Sequence, residues 1–243
     1  MSGGPDDTAT ATLVAGACGG AGASLLAASL ALAWAQEGTA AWLLDLDLDR
    51  GDLAGRWGVV GDRTIADLRP VAAELEPAHL RHAGREHPSG VTVLPAPGLP
   101  GSAAGWGATA TGRLLGAARA TAGSGGRIVV DAGVGVPCEG AVEGAGTILV
   151  VCPPTLSGAR RAAGLLEALR GRGAQARSAV VVGGRSTRGE LGARSLGRLL
   201  GAPIVGELPW SPREADGLAS GRWPTGRRAR LARAVSAIAG AVG

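Results

Sequence analysis

The residues whose types and spacing could do chemistry lie first in residues 14–24, which read VAGACGGAGAS. A short apolar run leads into Gly19, Gly20 and Gly22, and a helical pattern follows. A loop that joins a strand to a helix start directs several backbone N–H groups at one point, and the helix dipole adds partial positive charge there. Glycines give such a loop the backbone freedom that it needs. The stretch therefore predicts a site for an anion such as a phosphate group.

Oxygen-bearing side chains accompany this loop, but a cation does not. In the phosphate-loop pattern G-x-x-x-x-G-K-[ST], the lysine reaches the phosphates and the last hydroxyl ligates Mg²⁺. Ser24 holds the hydroxyl position, and Ala23 replaces the lysine. Aspartates end two apolar runs, at Asp45 and Asp47 in the first and at Asp131 in the second. If these runs are parallel strands, the loop and the aspartates meet beyond their carboxyl ends.

The elements that must position these residues alternate along the chain. The predicted strands cover residues 11–17, 40–48, 90–96, 126–133, 146–154, 178–184 and 203–209. Helical patterns lie between them, such as residues 24–38, where Gly38 is placed to end the helix, and the arginine-rich stretch from Ser157. Apolar strands separated by helices indicate a parallel sheet that is covered on both faces. We expect an α/β three-layer sandwich with a mostly parallel sheet of about seven or eight strands.

Composition narrows the class of protein. With 243 residues and 46% hydrophobic content, the chain can form one sizeable core. We expect a disordered tail over residues 1–10 and a single domain over residues 11–243. Three widely spaced cysteines argue against a disulfide framework or a zinc site. The apolar helical run over residues 25–35 is too short to span a bilayer, so we expect a soluble, cytoplasmic protein.

Charge is distributed unevenly between the two halves of the chain. All 24 basic residues are arginine. Through Pro154 there are 9 arginines against 15 acidic residues, and from Thr155 onward there are 15 against 5. The basic half favours either a surface that contacts DNA, anionic lipid or an acidic partner, or arginine-rich helices that simply face solvent. Composition alone leaves both interpretations open.

The glycine loop resembles the deviant Walker A motif of the ParA/MinD ATPases, K-G-G-x-G-K-[ST]. Cys18 and Ala23 stand at the two lysine positions of that motif. The run G-G-x-G-A-S is more similar to the lysine-lacking loops of the CpaE/TadZ-like branch. That branch includes actinobacterial septum-site-determining proteins and proteins of pilus and secretion systems. The resemblance covers almost the whole chain after the tail, and it implies a P-loop NTPase-like fold.

Three further segments carry the same resemblance. LLDLDLDRGDL resembles the second family motif, which implies that Asp47 contacts the attacking water and that Asp45 lies beside it. IVVDAG resembles the Walker B strand and implies that Asp131 is a partner of Mg²⁺, although Gly133 replaces the proline that is usual there. The segment over residues 209–216 corresponds to a loop near the base. A family asparagine that reads adenine has no counterpart, since Gly183 and Gly184 occupy its place.

The resemblance implies ATP and Mg²⁺ as cofactors. The metal would be held by Ser24, Asp47 and Asp131, and the catalytic residues would be Asp47 and Asp45. The expected nucleotide contacts are Gly19, Gly20, Ala21, Gly22, Ala23, Ser24, Leu25, Pro209 and Trp210.

The missing lysines affect hydrolysis more than binding. One lost charge-assisted hydrogen bond weakens binding by roughly ten- to a hundredfold, whereas a cation on the transferring phosphoryl group is worth on the order of 10³ to 10⁵ in rate. Arg50 and Arg56 are the candidate substitutes, although an arginine does not repeat the reach of a loop lysine. We expect ATP binding with very slow or absent hydrolysis.

These features favour an ATP-binding spatial regulator that forms a homodimer and positions septation or Flp-type pilus and secretion machinery. Such a protein would be recruited to a cell pole, the septum or the inner membrane face. A partitioning ATPase that binds DNA nonspecifically through its basic half is the first alternative. A scaffold whose loop binds no nucleotide is the second.

The last stretch of the chain has an amphipathic pattern. Leu231, Val235, Ile238 and Val242 fall on one helical stripe. MinD carries a terminal amphipathic membrane anchor, so a lipid-binding helix is one interpretation. The apolar residues here are small and lack the bulky aromatic side chains that favour a membrane interface. We therefore expect the stripe to pack on the sheet as the last helix.

Overall fold

Eight strands form one sheet in the computed structural model, which describes residues 9–59, 61–172, 174, 176–184, 191–224 and 229–243. The strands are β1 (Thr10–Gly16), β2 (Ala41–Asp45), β3 (Arg85–Glu86), β4 (Val91–Leu94), β5 (Arg127–Val134), β6 (Thr147–Cys152), β7 (Arg177–Val182) and β8 (Ile204–Glu207). Their order is β3-β4-β2-β5-β1-β6-β7-β8, and only the pairing of β3 with β4 is antiparallel. The predicted mostly parallel sheet is confirmed. Residues 1–8 of the predicted tail lie outside the described residues.

Helices cover both faces of this sheet. They are α1 (Ala23–Gln36), α2 (Leu53–Trp57), a 3-10 helix (Ile65–Glu74), α3 (Pro77–Ala83), α4 (Ala108–Ala122), α5 (Glu139–Glu143), α6 (Leu156–Gly171), α7 (Ala193–Leu200), α8 (Pro212–Ala219) and α9 (Arg230–Val242). One buried cluster joins the sheet to the 3-10 helix and α3–α7, and another joins it to α1, α2, α8 and α9. Neighbouring strand residues such as Leu13 and Val14 belong to opposite clusters, because side chains alternate along a strand. The result is the predicted three-layer sandwich.

The centre of the sheet positions the candidate site. β1 lies between β5 and β6, and β2 lies on the far side of β5. The crossover from β1 to β2 runs towards one edge of the sheet, and the crossover from β5 to β6 runs past β1 towards the other edge. The carboxyl end of β1 is therefore the switch point where open α/β sheets bind ligands. Asp131 on β5 is in register with Val14 on one side and with Asp45 on the other.

The second strand is shorter than its sequence predicts. The apolar alternation extends to Leu48, but β2 ends at Asp45. The Asp45 carboxylate accepts hydrogen bonds from the backbone N–H groups of Asp47 at 3.2 Å and Leu53 at 3.4 Å. These bonds turn the chain back towards its own strand end. The N–H of Leu46 still donates to the carbonyl oxygen of Asp131 at 2.8 Å, and the chain leaves the sheet after it.

The C-terminal helix packs as expected. Leu231, Val235, Ile238 and Val242 of α9 are buried against α1 and the sheet. The first turn of α9 is fixed by Glu214 on α8, whose carboxylate accepts the N–H groups of Leu231 at 2.9 Å and Ala232 at 3.3 Å. The apolar stripe of α9 is therefore part of the core.

Candidate functional site

The glycine loop leaves β1 and ends at the start of α1. Gly22 caps the helix in the left-handed region at φ 100°, which side chains rarely adopt, and Gly20 has φ 73°. Since the cap residue has no side chain, it cannot accept the N–H groups of the first helical turn, and that turn contains no acidic residue. Gly19 and Gly20 are exposed. The loop therefore presents backbone donors and the positive end of a helix to solvent.

The two lysine positions of the resembled motif contain small uncharged side chains. Ala23 is buried in the cluster beneath α1, and the half-buried Cys18 packs against the same cluster. A methyl group and a thiol thus replace two ammonium groups. The anion site predicted for this loop depends on backbone donors and on groups from other elements.

Asp45 and Asp131 stand side by side at the ends of β2 and β5, and each is 1% exposed. The Asp131 carboxylate accepts the N–H of Gly133 at 3.0 Å. Burial raises the pKa of Asp45 well above its ordinary value, and the charge of Asp131 raises that pKa further. The two N–H groups that the Asp45 carboxylate accepts lower its pKa, but their effect is smaller. Two desolvated carboxylates facing each other favour either a proton or a cation.

Asp131 is shared between this pair and the glycine loop. Burial raises its pKa most, and the nearby charges of Asp47 and Asp52 also raise it. A hydrogen bond from the Ser24 side chain and the N–H of Gly133 lower its pKa but do not offset burial. The Ser24 hydroxyl therefore lies close enough to this buried carboxylate to lower its pKa.

Asp47 completes this cluster through a close contact with Gly133. Gly133 has φ 64°, and a Cβ atom built on it would collide with the Asp47 carboxylate. The proline that the family motif has at this position would not fit beside Asp47 in this chain. The sequence shows the departure at Gly133 but not its steric effect, which is to let the Asp47 carboxylate lie against the Gly133 backbone.

The structure thus brings together Ser24, Asp47 and Asp131, the residues predicted to hold a metal, with Asp45 beside them. Their oxygen donors fit the ligand preference of Mg²⁺. Among the described residues, no group of three or more His, Cys, Asp or Glu side chains is arranged to hold a metal ion by itself. Mg²⁺ commonly uses one or two carboxylates together with substrate phosphates and water. The cluster fits a metal that arrives with a phosphate ligand.

A second part of the site is an apolar cleft of about 120 Å³. Residues 20–22 and Leu25 form one wall, and Leu208, Pro209 and Trp210 form the other. The Trp210 side chain is 64% exposed. The cleft is smaller than the roughly 300–1,000 Å³ of sites that enclose a drug-sized ligand, so it suits one flat group such as a base.

Gly183 and Gly184 stand where the resembled family has an asparagine, and the space at Gly183 excludes a side chain. A Cβ atom on Gly183 would lie 2.5 Å from the carbonyl oxygen of Ala21 in the loop. The end of β7 and the loop therefore approach too closely for a side chain at this position. Gly184 lines the cleft beside the same loop.

The predicted nucleotide contacts divide between the two parts. Gly20, Ala21, Gly22, Leu25, Pro209 and Trp210 line the apolar cleft, and Ser24 belongs to the carboxylate cluster. Asp49 points elsewhere, because its carboxylate accepts the N–H of Gly101 at 3.0 Å. Leu208 was missed, although its place directly before Pro209 at the end of β8 could have indicated it.

Comparisons with known proteins identify the architecture. No protein-family model matches the chain, and no curated protein matches it. Solved structures do match: a ParA family ATPase from Chlorobium tepidum TLS is 20% identical, with 96% of this chain and 98% of that chain covered and a TM-score of 0.79. The septum site-determining protein MinD of Pyrococcus horikoshii OT3, complexed with Mg-ADP, is 20% identical and has a TM-score of 0.76. That match covers 96% of this chain and 95% of the MinD chain. A chain of the MinC:MinD cell division protein complex of Aquifex aeolicus is 20% identical and has a TM-score of 0.75. That match covers 96% of this chain and 95% of the chain from the complex.

The chain has the fold of the ParA/MinD ATPases. The predicted P-loop NTPase-like class is therefore confirmed. In this ParA/MinD-like fold, the lysine-free loop and the carboxylate cluster lie together at the carboxyl ends of β1, β2 and β5. Within the described ranges, no helix is both long enough and apolar enough to cross a bilayer.

Proposed function

We propose that the chain is an ATP-binding spatial regulator of the ParA/MinD type, in the CpaE/TadZ-like branch, that uses Mg²⁺ and hydrolyses ATP very slowly or not at all. The observation that carries the proposal is the position of the buried Asp131 at the end of β5, where the Ser24 hydroxyl lowers its pKa, next to a loop whose helix-start N–H groups are free of side-chain caps. The solved MinD structure with Mg-ADP supports nucleotide and metal as the ligands.

The residues have separate tasks in this proposal. The loop amides bind the phosphates, and Ser24, Asp131 and Asp47 hold Mg²⁺, which supplies charge neutralisation when it is bound. The base lies in the apolar cleft against Trp210. Asp47 orients the attacking water, with Asp45 beside it. Because the loop contributes no ammonium group to the transferring phosphoryl group, turnover is slow.

Nucleotide acts as a conformational ligand in this proposal. ATP shifts an equilibrium between monomer and homodimer because it binds the dimer more tightly. The dimer then recruits or positions protein partners of septation or of Flp-type pilus and secretion machinery at a pole, the septum or the inner membrane face. The MinC:MinD complex supports a protein partner for a chain of this fold.

Size-exclusion chromatography with light scattering, with and without Mg-ATP, tests the switch. We expect a monomer without nucleotide and a dimer with Mg-ATP, and we expect Ser24→Ala to stay monomeric. Phosphate release should stay near background in both states. An elution volume that ignores Mg-ATP, together with no detectable ATP binding, would instead favour the nucleotide-free scaffold.

A DNA-binding partitioning ATPase is the second candidate, and the basic surface of α6 and α7 favours it. Arg160, Arg161, Arg194 and Arg198 are exposed there. This candidate requires DNA-stimulated hydrolysis and DNA binding that weakens steeply with salt. A filter-binding titration at several salt concentrations distinguishes it from the leading proposal, which expects no stimulation by DNA.

A further inference from the structure

The carboxylate cluster has a cationic neighbour outside the glycine loop. The Arg50 guanidinium Nε lies 3.3 Å from Asp47 Oδ1, and the two side chains are 64% and 18% exposed. Ion pairs among the described residues include Arg50–Asp47, Arg56–Asp52 and Arg85–Asp62. Of these, only the first includes a carboxylate of the cluster.

The position of Arg50 follows from the turn after β2. The N–H of Arg50 donates to the carbonyl oxygen of Asp47 at 3.1 Å, so the guanidinium returns over the side chain of the same residue. That side chain lies against Gly133, whose N–H holds Asp131. Arg50 is therefore placed at the solvent side of the residues that would hold the metal and the terminal phosphate.

The Arg50–Asp47 pair adds little to the stability of the fold. An ion pair with a largely exposed partner contributes little to folding stability. The electrostatics of the site are a stronger reason for the arginine. Three carboxylates and a triphosphate converge where the loop has no lysine, and the chain contains no lysine at all. A guanidinium is always charged, and its planar set of donors matches a phosphate group.

We propose that Arg50 supplies the cation that the loop lacks, pairing with Asp47 in the free protein and with the terminal phosphate of ATP in the bound protein. This inference rests on the proposed nucleotide site. Since ADP lacks the γ-phosphate, Arg50 makes the site distinguish ATP from ADP. That distinction is what a nucleotide-controlled switch requires.

Arg56 is a matched control. It lies in α2 and pairs at 2.7 Å with Asp52, the residue that precedes the helix, and both side chains are 56% exposed. Asp52 is not one of the residues proposed to hold the metal, although its charge acts on Asp131. The two arginines therefore share a chemical type, an aspartate partner and solvent exposure, but only Arg50 pairs with a proposed metal ligand.

The test is calorimetric titration of the wild type, Arg50→Ala, Arg50→Lys and Arg56→Ala with Mg-ATP and with Mg-ADP. We expect Arg50→Ala to weaken ATP binding by roughly ten- to a hundredfold, the value of one charge-assisted hydrogen bond, and to leave ADP binding almost unchanged. Arg50→Lys should recover part of the ATP affinity, because it restores the charge without the planar donors. Arg56→Ala should bind both nucleotides like the wild type. Thermal unfolding of the free variants should match the wild type.

Each contrary result is distinct. If Arg50→Ala keeps the wild-type ratio of ATP to ADP affinity, or if Arg56→Ala changes that ratio equally, the role of Arg50 is overturned while the nucleotide site stands. If the wild type binds neither nucleotide, the proposed function itself fails.

Discussion

The two ends of the candidate site are built on different physical principles. At the end proposed to bind phosphate, Asp45 and Asp131 are buried, and their pKa values are raised because burial and the charges of neighbouring aspartates disfavour ionisation. At the base end, Leu25, Leu208 and Trp210 form an apolar cleft. Its hydroxyl from Ser211 is already bonded to Glu214 at 2.8 Å. The buried carboxylates of the first end favour a proton or a cation. The cleft of the second end already has its shape and its hydrogen bond without a ligand.

This difference indicates how affinity and control are divided. In the proposed function, the apolar end would gain its affinity from burial and stacking, which are the same for any nucleotide that has the same base. The other end would depend on the charge of its ligand, so it would respond to the metal and to the number of phosphates. A switch controlled by nucleotide state belongs at the phosphate end, where a lost charge has a large effect.

Asp131→Asn should have the largest effect at the phosphate end. The amide oxygen can still accept the Gly133 N–H, and the amide NH₂ can donate to Ser24, so the change removes charge while it keeps the hydrogen bonds. Loss of a group that orients or ligates a metal costs roughly 10- to 100-fold in affinity. We expect that loss for Mg-ATP in calorimetry. Unchanged affinity would remove Asp131 from the metal site.

Trp210→Ala should weaken binding at the base end without altering control. Stacking of a base on an aromatic side chain is worth about 1–3 kcal/mol, so we expect about tenfold weaker binding of both ATP and ADP at an unchanged ratio. Leu199→Ala is the control, because Leu199 is a similarly exposed apolar residue on α7. Competition with a fluorescent nucleotide measures both variants. A changed ATP to ADP ratio in Trp210→Ala would contradict the division between the two ends.

The free protein should lose stability as its buried carboxylates ionise. The pKa of Asp131 is raised above 3.8 in the fold, so the folded state retains its proton to a higher pH than the unfolded chain. The contribution of protonated Asp131 to the free energy of unfolding is complete below about pH 4, and it is lost as the pH rises through the raised pKa. Asp131→Asn has no such loss, so it should exceed the wild type in urea unfolding at neutral pH and approach it in acid. A wild type that stays more stable at neutral pH would overturn this reasoning.

Glu214→Ala should have the smallest effect, because it acts on the support of the base end. Burial disfavours the ionised Glu214, but hydrogen bonds from Ser211 and from backbone N–H groups of α9 together lower its pKa. The contribution of ionised Glu214 to the free energy of unfolding is therefore present above its ordinary pKa of 4.5. It is lost as the pH falls through the lowered pKa. Loss of a helix cap costs about 0.5–2 kcal/mol.

Chemical unfolding measures this cost, and Glu214→Gln serves as the intermediate that keeps an acceptor without the charge. Glu214→Ala should leave the ratio of ATP to ADP affinity unchanged. If it altered this ratio, α8 and α9 would have to be included in the control of nucleotide state.

The sequence predicted local features well because they have local causes. The strand β1, the glycine loop and the start of α1 follow from periodicity and from glycine positions in residues 11–38. The adjacency of Ser24 and Asp131 could be expected because parallel strands end at one edge. The early end of β2 could not, since it depends on the Asp45 carboxylate accepting N–H groups from residues further along the chain.

Features that depend on close approach between distant segments stayed hidden in the sequence. The contact of Gly133 with Asp47 and that of Gly183 with the Ala21 carbonyl appear only when the strands are assembled. The same holds for Glu214, which caps a helix that begins sixteen positions later in the chain, at Arg230. Neither the burial of Asp45 nor its raised pKa is a property of its neighbours in sequence.

Titration of the wild type with ATP, once with Mg²⁺ and once with a chelator, tests the central claim most directly. That claim is that loop amides and a metal held through Ser24 and the carboxylates bind a triphosphate without any ammonium group. The account predicts binding at or below about millimolar ATP with Mg²⁺, and at least tenfold weaker binding without it. Equal affinity in both titrations, or no heat at millimolar ATP with Mg²⁺, would contradict it.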